Sequence, residues 1–296
     1  MTTLEAGKRI GFANILFATD FSPYSNAALP YAQALARKYR AKVYGTHVLP
    51  GDVYVFVSPE SWPAFIEAED EVRQHDIARL DQQLHDVPHE FLNAAGDVWE
   101  AVKRQIQDHD IDLLVVGTHG RTGARRVLMG SVAEKIFRSA PCPVLTVGPQ
   151  VAAPPEAGVA FRHILLATDF GEGAAEAAAH AISIAQENHS TLCVLHIVDD
   201  PKAGTVDFRP DSVFEMERLR DLVPLACGLE HGPEYFVEFG TPAEQIVDFA
   251  ERRGIDLLVM GAHTPHTRLG RVTNFTHSTA QHIVAQAPCP VLTVRG

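Results

Sequence analysis

Ile111-Asp-Leu-Leu-Val-Val-Gly117 and Ile255-Asp-Leu-Leu-Val-Met-Gly261 are one segment written twice, 144 residues apart. Each is an unbroken apolar run of strand length that stops at a glycine. A run without polar alternation predicts a strand of a parallel sheet covered on both faces. The repetition continues outward. Ile15-Leu-Phe-Ala-Thr-Asp-Phe21 returns as Ile164-Leu-Leu-Ala-Thr-Asp-Phe170, 149 residues later, and Ala140-Pro-Cys-Pro-Val-Leu-Thr-Val147 returns as Ala287-Pro-Cys-Pro-Val-Leu-Thr-Val294, 147 residues later. Three matched blocks in one order read as a tandem duplication. The drifting offset makes the second copy five residues shorter between its first two blocks and three longer between its last two. The join, Gly148-Pro-Gln-Val-Ala-Ala-Pro-Pro-Glu-Ala-Gly158, has the Pro, Ala and Gly content of a linker. The expected division is a first domain over 1–148, a linker over 149–160 and a second domain over 161–296.

Composition narrows the function classes. The chain has 296 residues, enough for two domains of ordinary size. Its net charge of −12 argues against nucleic acid and anionic membrane as partners, because phosphate-rich surfaces are recognised by clustered Lys and Arg. No apolar run approaches the roughly 20 residues that cross a bilayer. The N-terminal Met-Thr-Thr-Leu-Glu-Ala-Gly-Lys-Arg lacks the apolar core of an export signal, and Cys142, Cys193, Cys227 and Cys289 form no C-x-x-C pair. A cytoplasmic protein with free thiols is expected.

Strands and helices alternate within each copy. In the first, Asn14 to Thr19 reads as a buried strand, Ser22-Pro23 as a helix cap and first turn, and Lys42 to Leu49 as a second strand. A long helix follows over about Ala64 to Leu84, then a third strand over His89 to Ala94. Asp97-Val-Trp-Glu100 opens the next helix with the spacing of a capping box, and Thr241-Pro-Ala-Glu244 has the same spacing in the second copy. Asp112 to Val116, a helix over Ser131 to Ser139, and Val144 to Val147 complete the unit. The fold class is α/β: two tandem doubly wound domains, each a five-stranded parallel sheet. The last strand of each copy is an apolar sheet edge, which invites pairing. Val144, Leu145 and Val147 are therefore expected to face Val291, Leu292 and Val294 across a local two-fold axis, forming a pseudo-dimer within one chain. A further homodimer is optional.

Ligands on such sheets bind beyond the carboxyl ends of the strands. There the first copy carries Gly117-Thr-His-Gly120, nine intervening residues, then Gly130-Ser131 at the start of a helix. Glycines let an anion approach backbone N–H groups, and a helix N-terminus favours phosphate. Arg121, Arg125 and Arg126 lie in the intervening loop and could offset phosphate charge. The bland alternative is a glycine turn before a capped helix, with no ligand.

The chain resembles the universal stress protein family in its tandem form. In that family Gly-x-x-Gly-x9-Gly-(Ser/Thr) marks members that bind ATP, and the first copy matches it at every fixed position. The resemblance implies that Ala18, Thr19 and Asp20 meet adenine and ribose, and that Val48 meets the base through its backbone. Val116, Gly117, His119 and Gly120 line the ribose and phosphate side, and Gly130, Ser131 and Val132 hold the phosphates of ATP carried with Mg²⁺. The second copy departs from this pattern. Gly261 survives, but the second glycine is Thr264, and alignment back from the terminal block puts His277-Ser278 where the first copy has Gly130-Ser131. One ATP, in the first copy, is therefore expected.

Other chemistry is weaker. His119 and His263 recur but form no HxxxH or HExxH arrangement, and Cys142 and Cys289 between prolines read as packing residues. No P-loop is present and no nucleophile–base pair stands out. The leading reading is a cytoplasmic ATP-binding protein of stress or signalling without fast catalysis. The rivals are a slow ATPase or nucleotidyl-transfer enzyme, and a module that binds proteins and no nucleotide.

Overall fold

The computed structural model describes residues 10–50, 61–118, 131–155, 158–199, 211–262 and 277–296. The first half runs β1 (Asn14–Ala18), α1 (Pro23–Asn26), α2 (Leu29–Tyr39), β2 (Lys42–Pro50), α3 (Trp62–Gln83), β3 (His89–Gly96), α4 (Val98–Asp108), β4 (Leu113–Gly117), α5 (Ser131–Ser139) and β5 (Val144–Val147). The second half runs β6 (His163–Ala167), α6 (Ala174–Asn188), β7 (Thr191–Asp199), α7 (Asp211–Leu222), β8 (Glu234–Gly240), α8 (Pro242–Arg253), β9 (Leu257–Ala262), α9 (His277–Gln286) and β10 (Val291–Arg295).

Local chemistry sets these boundaries. Ser22 is extended and its hydroxyl accepts the Ser25 N–H at 3.1 Å, so α1 starts at Pro23, whose missing N–H costs nothing there. Asp97 caps α4 by accepting from Glu100 N at 3.0 Å. Thr241, expected to do the same for α8, makes no side-chain cap bond, and Pro242 at the first helical position supplies the start instead. The repeated Ile-Asp before β4 and β9 also has a local purpose. The Asp112 carboxylate accepts from Ala13 N and Asn14 N (2.7 and 3.2 Å), and Asp256 accepts from Arg162 N and His163 N (2.8 and 3.2 Å). Each pins the entrance of the neighbouring strand, and burial pushes both carboxyls above their usual range.

All ten strands form one sheet, in the order β3-β2-β1-β4-β5-β10-β9-β6-β7-β8. Every pair is parallel except β5 with β10, which run antiparallel. The edge strands of the two halves thus pair with each other, as expected. Leu145 sits opposite Leu292, Val144 opposite Thr293 and Thr146 opposite Val291. The expected valine-on-valine facing is corrected accordingly. A two-fold through Leu145 and Leu292 puts each valine against a threonine, and Thr293 Oγ1 donates to Val144 O at 3.3 Å.

The sheet has helices on both faces. On one face a single buried cluster crosses from half to half, containing Leu35, Leu80 and Leu145 with Ala181, Leu219 and Leu292. Polar bonds follow the same seam: Ile10 N donates to Ser183 Oγ (2.8 Å), Tyr31 OH to Ala152 O (2.9 Å), and Lys38 to the Asn188 side chain. On the other face there are two buried clusters, one under α4 with Ile136 of α5, the other under α8 and α9 with Phe137 of α5. Among the described residues no helix is long and apolar enough to cross a membrane.

Candidate functional site

In the first half the chain leaves β1 toward β2 on one side, while β4 and β5 lie on the other. Ala18 is paired with Thr46 of β2 and with Val116 of β4, so the ends of three strands meet at this point. Thr19, expected as strand, has left it. Its N–H still donates to Thr46 O (2.9 Å), but its hydroxyl shares a bond with Ser25 Oγ (2.9 Å), donates to Asn26 Oδ1 (2.9 Å) and accepts from Phe21 N (2.9 Å). Asp20 accepts from Ser22 N at 3.0 Å, and Phe21 takes the left-handed conformation (φ 61°). This tight turn holds Thr19 and Asp20 at the mouth of the sheet. It is a turn built by side-chain bonds to nearby backbone, which short polar residues make readily.

His47, absent from the sequence expectations, fastens the turn from β2. Its Nδ1–H donates to Thr19 O at 2.9 Å, which fixes the tautomer, and its ring lies 4.8 Å from that of Phe21. The second half repeats the device: His196 Nδ1 donates to Thr168 O at 2.8 Å, its ring is 4.7 Å from Phe170, and Phe170 has φ 58°. A signal for it existed. His47 and His196 are 149 residues apart, the offset of the Thr-Asp-Phe blocks themselves.

Of the expected residues that the structure describes, Ala18, Thr19, Asp20, Val116 and Gly117 lie at the adjoining ends of β1 and β4. Val48 and Val116 are buried with Leu16 and Trp99 in the core under α4. Val132, on α5, is exposed. Ser131 is the first residue of α5. His119, Gly120 and Gly130, with Arg121, Arg125, Arg126, His263 and Thr264, lie outside the described residues. Gly117 closes β4, where it meets α1. A Cβ there would come within 2.7 Å of Tyr24 O and 2.8 Å of Ser25 Cα, both backbone. Gly261 is constrained likewise, a Cβ falling 2.8 Å from Gly173 C. This is why the first glycine survives in the second half although the second does not: the strand end touches the backbone at the head of a helix, ligand or no ligand. Gly117→Val should destabilise the chain by about 1–3 kcal/mol through overpacking. A urea midpoint equal to wild type would contradict the steric account.

Each half carries an acid–arginine pair on the helix after its second strand, Asp70 with Arg73 on α3 and Glu215 with Arg218 on α7. In the second half α7 lays the Arg218 guanidinium on the Phe170 ring, 3.8 Å from its centroid, and Glu215 joins Arg218 at 2.9 Å. Glu215 also lies 3.9 Å from His196 Nε2. His196 is 1% exposed, and burial holds its pKa below the usual value against the pull of its bond to Thr168 and of Glu215. In the first half His47 is half-buried. Among the described residues no group of three or more His, Cys, Asp and Glu side chains offers a metal site. The Cys142 and Cys289 thiols are buried and pushed up to about 12, which suits packing and not redox chemistry.

Comparison with known proteins agrees with the fold and its duplication. The Universal stress protein family matches the chain twice, over residues 11–148 and 160–295. A universal stress protein of Synechocystis is 25% identical over 311 aligned positions, spanning 95% of this chain and 99% of its own. One from Methanocaldococcus jannaschii is 31% identical over 143 residues, covering 46% of this chain and 82% of the relative. The crystal structure of a universal stress protein from Archaeoglobus fulgidus superposes with a TM-score of 0.68 at 18% identity, over 95% of this chain and 98% of that one, a likeness of fold.

Proposed function

The chain belongs to the universal stress protein family, and from that premise we propose that its first half binds one ATP, with Mg²⁺, and acts through occupancy rather than fast turnover. The observation that carries this reading is the intact Gly117-x-x-Gly120-x9-Gly130-Ser131 spacing, which follows a buried β4 whose end adjoins the Thr19–Asp20 turn. Adenine and ribose lie against Ala18, Thr19, Asp20 and the backbone of Val48. The ribose and phosphate side is lined by Val116, Gly117, His119 and Gly120, and the phosphates meet Gly130, Ser131 and Val132 at the head of α5. Helix N-terminal N–H groups and dipole favour anions there. Mg²⁺ travels on the ATP phosphates.

The second half supports a single site. Thr264 replaces the second glycine, and His277 stands where Gly130 does. On the same reading the halves are domains over 1–148 and 161–296, and the protein works in the cytoplasm.

The experiment is mass spectrometry of co-purified nucleotide, then calorimetric titration and a turnover assay. One ATP per chain is expected, with turnover well below the roughly 1–10³ s⁻¹ of dedicated enzymes. Two equivalent sites, or no binding, would overturn the reading, and turnover of several per second would overturn the non-catalytic part.

A further inference from the structure

Helix α5 belongs to both halves at once. Ile136 is buried in the first half's core beside Val116 and Val144. Its neighbour Phe137, 7% exposed, is buried in the second half's core with Ile283, Val284 and Val291, and Ala133 packs against the same cluster. At the far end of the helix the Arg295 guanidinium, from the last residue of β10, donates to Arg138 O. A cation on the carbonyls of a helix C-terminus is favourably placed. Beyond β5 the backbone closes in as well: a Cβ on Gly148 would lie 3.2 Å from Val284 O at the end of α9. The arrangement is not symmetric. At the 147-residue offset Phe137 corresponds to Val284, so the large side chain that crosses the seam sits on α5 alone.

The consequence concerns the other end of the same helix. α5 has nine residues, about 13 Å of rigid rod. Its first residue is Ser131, and donors at a helix head hold an anion only when placed to within tenths of an ångström. Fixing the middle and tail of so short a rod fixes its head.

We propose that the second half completes the first half's ATP site by positioning α5, with Phe137 and Arg295 as the positioning residues. The inference rests on the ATP reading above. Linkage then makes the effect reciprocal: ATP on the first half tightens the second half's hold on α5 by the factor by which that hold strengthens ATP binding. The second half, without a second nucleotide, is the partner that senses the first.

The test uses the full chain with ATP and magnesium chloride. Calorimetry gives the affinity of wild type, Phe137→Ala, Arg295→Gln and Arg295→Lys, and hydrogen exchange of residues 277–286 is followed with and without ATP. Phe137→Ala and Arg295→Gln should each weaken ATP at least about five-fold, and Arg295→Lys, which can still donate to the Arg138 carbonyl, should recover most of the loss. ATP should slow exchange in α9 of wild type, and less so in the two weakened variants. Should Phe137→Ala misfold, Arg295→Gln, which changes one side chain at the rim, still decides the matter. A folded Arg295→Gln with wild-type affinity, or ATP binding that leaves α9 exchange unchanged in wild type, overturns the positioning role while the ATP site stands. Wild type that binds no ATP overturns the site itself, and the inference with it.

Discussion

Gly130→Asp should reduce ATP binding at least a hundred-fold, a loss of about 2.7 kcal/mol. The substitution puts a carboxylate where the family motif brings the phosphates, at the head of α5, and like charges at contact distance in a partly dry site repel strongly. It also replaces the residue that lets an anion reach the N–H groups of the helix head by one with a side chain. Calorimetry on the variant reads the loss directly, and circular dichroism checks that the fold is kept. The matching change in the second half, His277→Asp, should leave affinity unaltered. Undiminished binding by folded Gly130→Asp would remove the glycine motif as the basis of the site.

Leu145→Asp should be the most damaging single change along the seam. Leu145 and Leu292 are each 2% exposed and stand opposite one another on the local two-fold. Truncating a buried leucine costs roughly 2–5 kcal/mol, and a carboxylate in its place has no partner among the apolar residues around it, which adds to that cost. Against a total stability of about 5–15 kcal/mol, most of the fold's margin would be gone. Chemical denaturation should show a large fall in midpoint, and a single cooperative transition should split as the halves part. A midpoint close to wild type would mean that β5 and β10 contribute little to the joined sheet.

The fold was legible because its signals are local and repeated. Leu113 to Val116 and Leu257 to Met260 announce strands buried on both faces, and the edge character of β5 and β10 foretold their pairing. Sequence reading was weaker where a residue's role is set by something distant in the chain. It read Gly117 only as a ligand-lining glycine and did not see that contact with Tyr24 and Ser25 alone already demands glycine there. It passed over His47, whose partner Thr19 lies 28 residues away, because a single histidine in a strand carries no local pattern. It put a capping box at Thr241, where the spacing is right but Pro242 does the work. It treated α5 as a helix of the first half only, since the burial of Phe137 in the other core has no trace in helical periodicity.

The antiparallel junction of β5 and β10 has a consequence for how the two halves can diverge. In a dimer of identical chains every substitution appears on both sides of the axis, so a seam residue must suit its own mirror image. Here the two sides are different stretches of one polypeptide, and each can change alone. Phe137 can grow into a space that Val284 leaves, and one crevice can lose its glycines while the other keeps them. Covalent joining thus relaxes symmetry, and on the proposed one-site reading it permits a division of labour in which the copy without nucleotide reports on the copy that binds it.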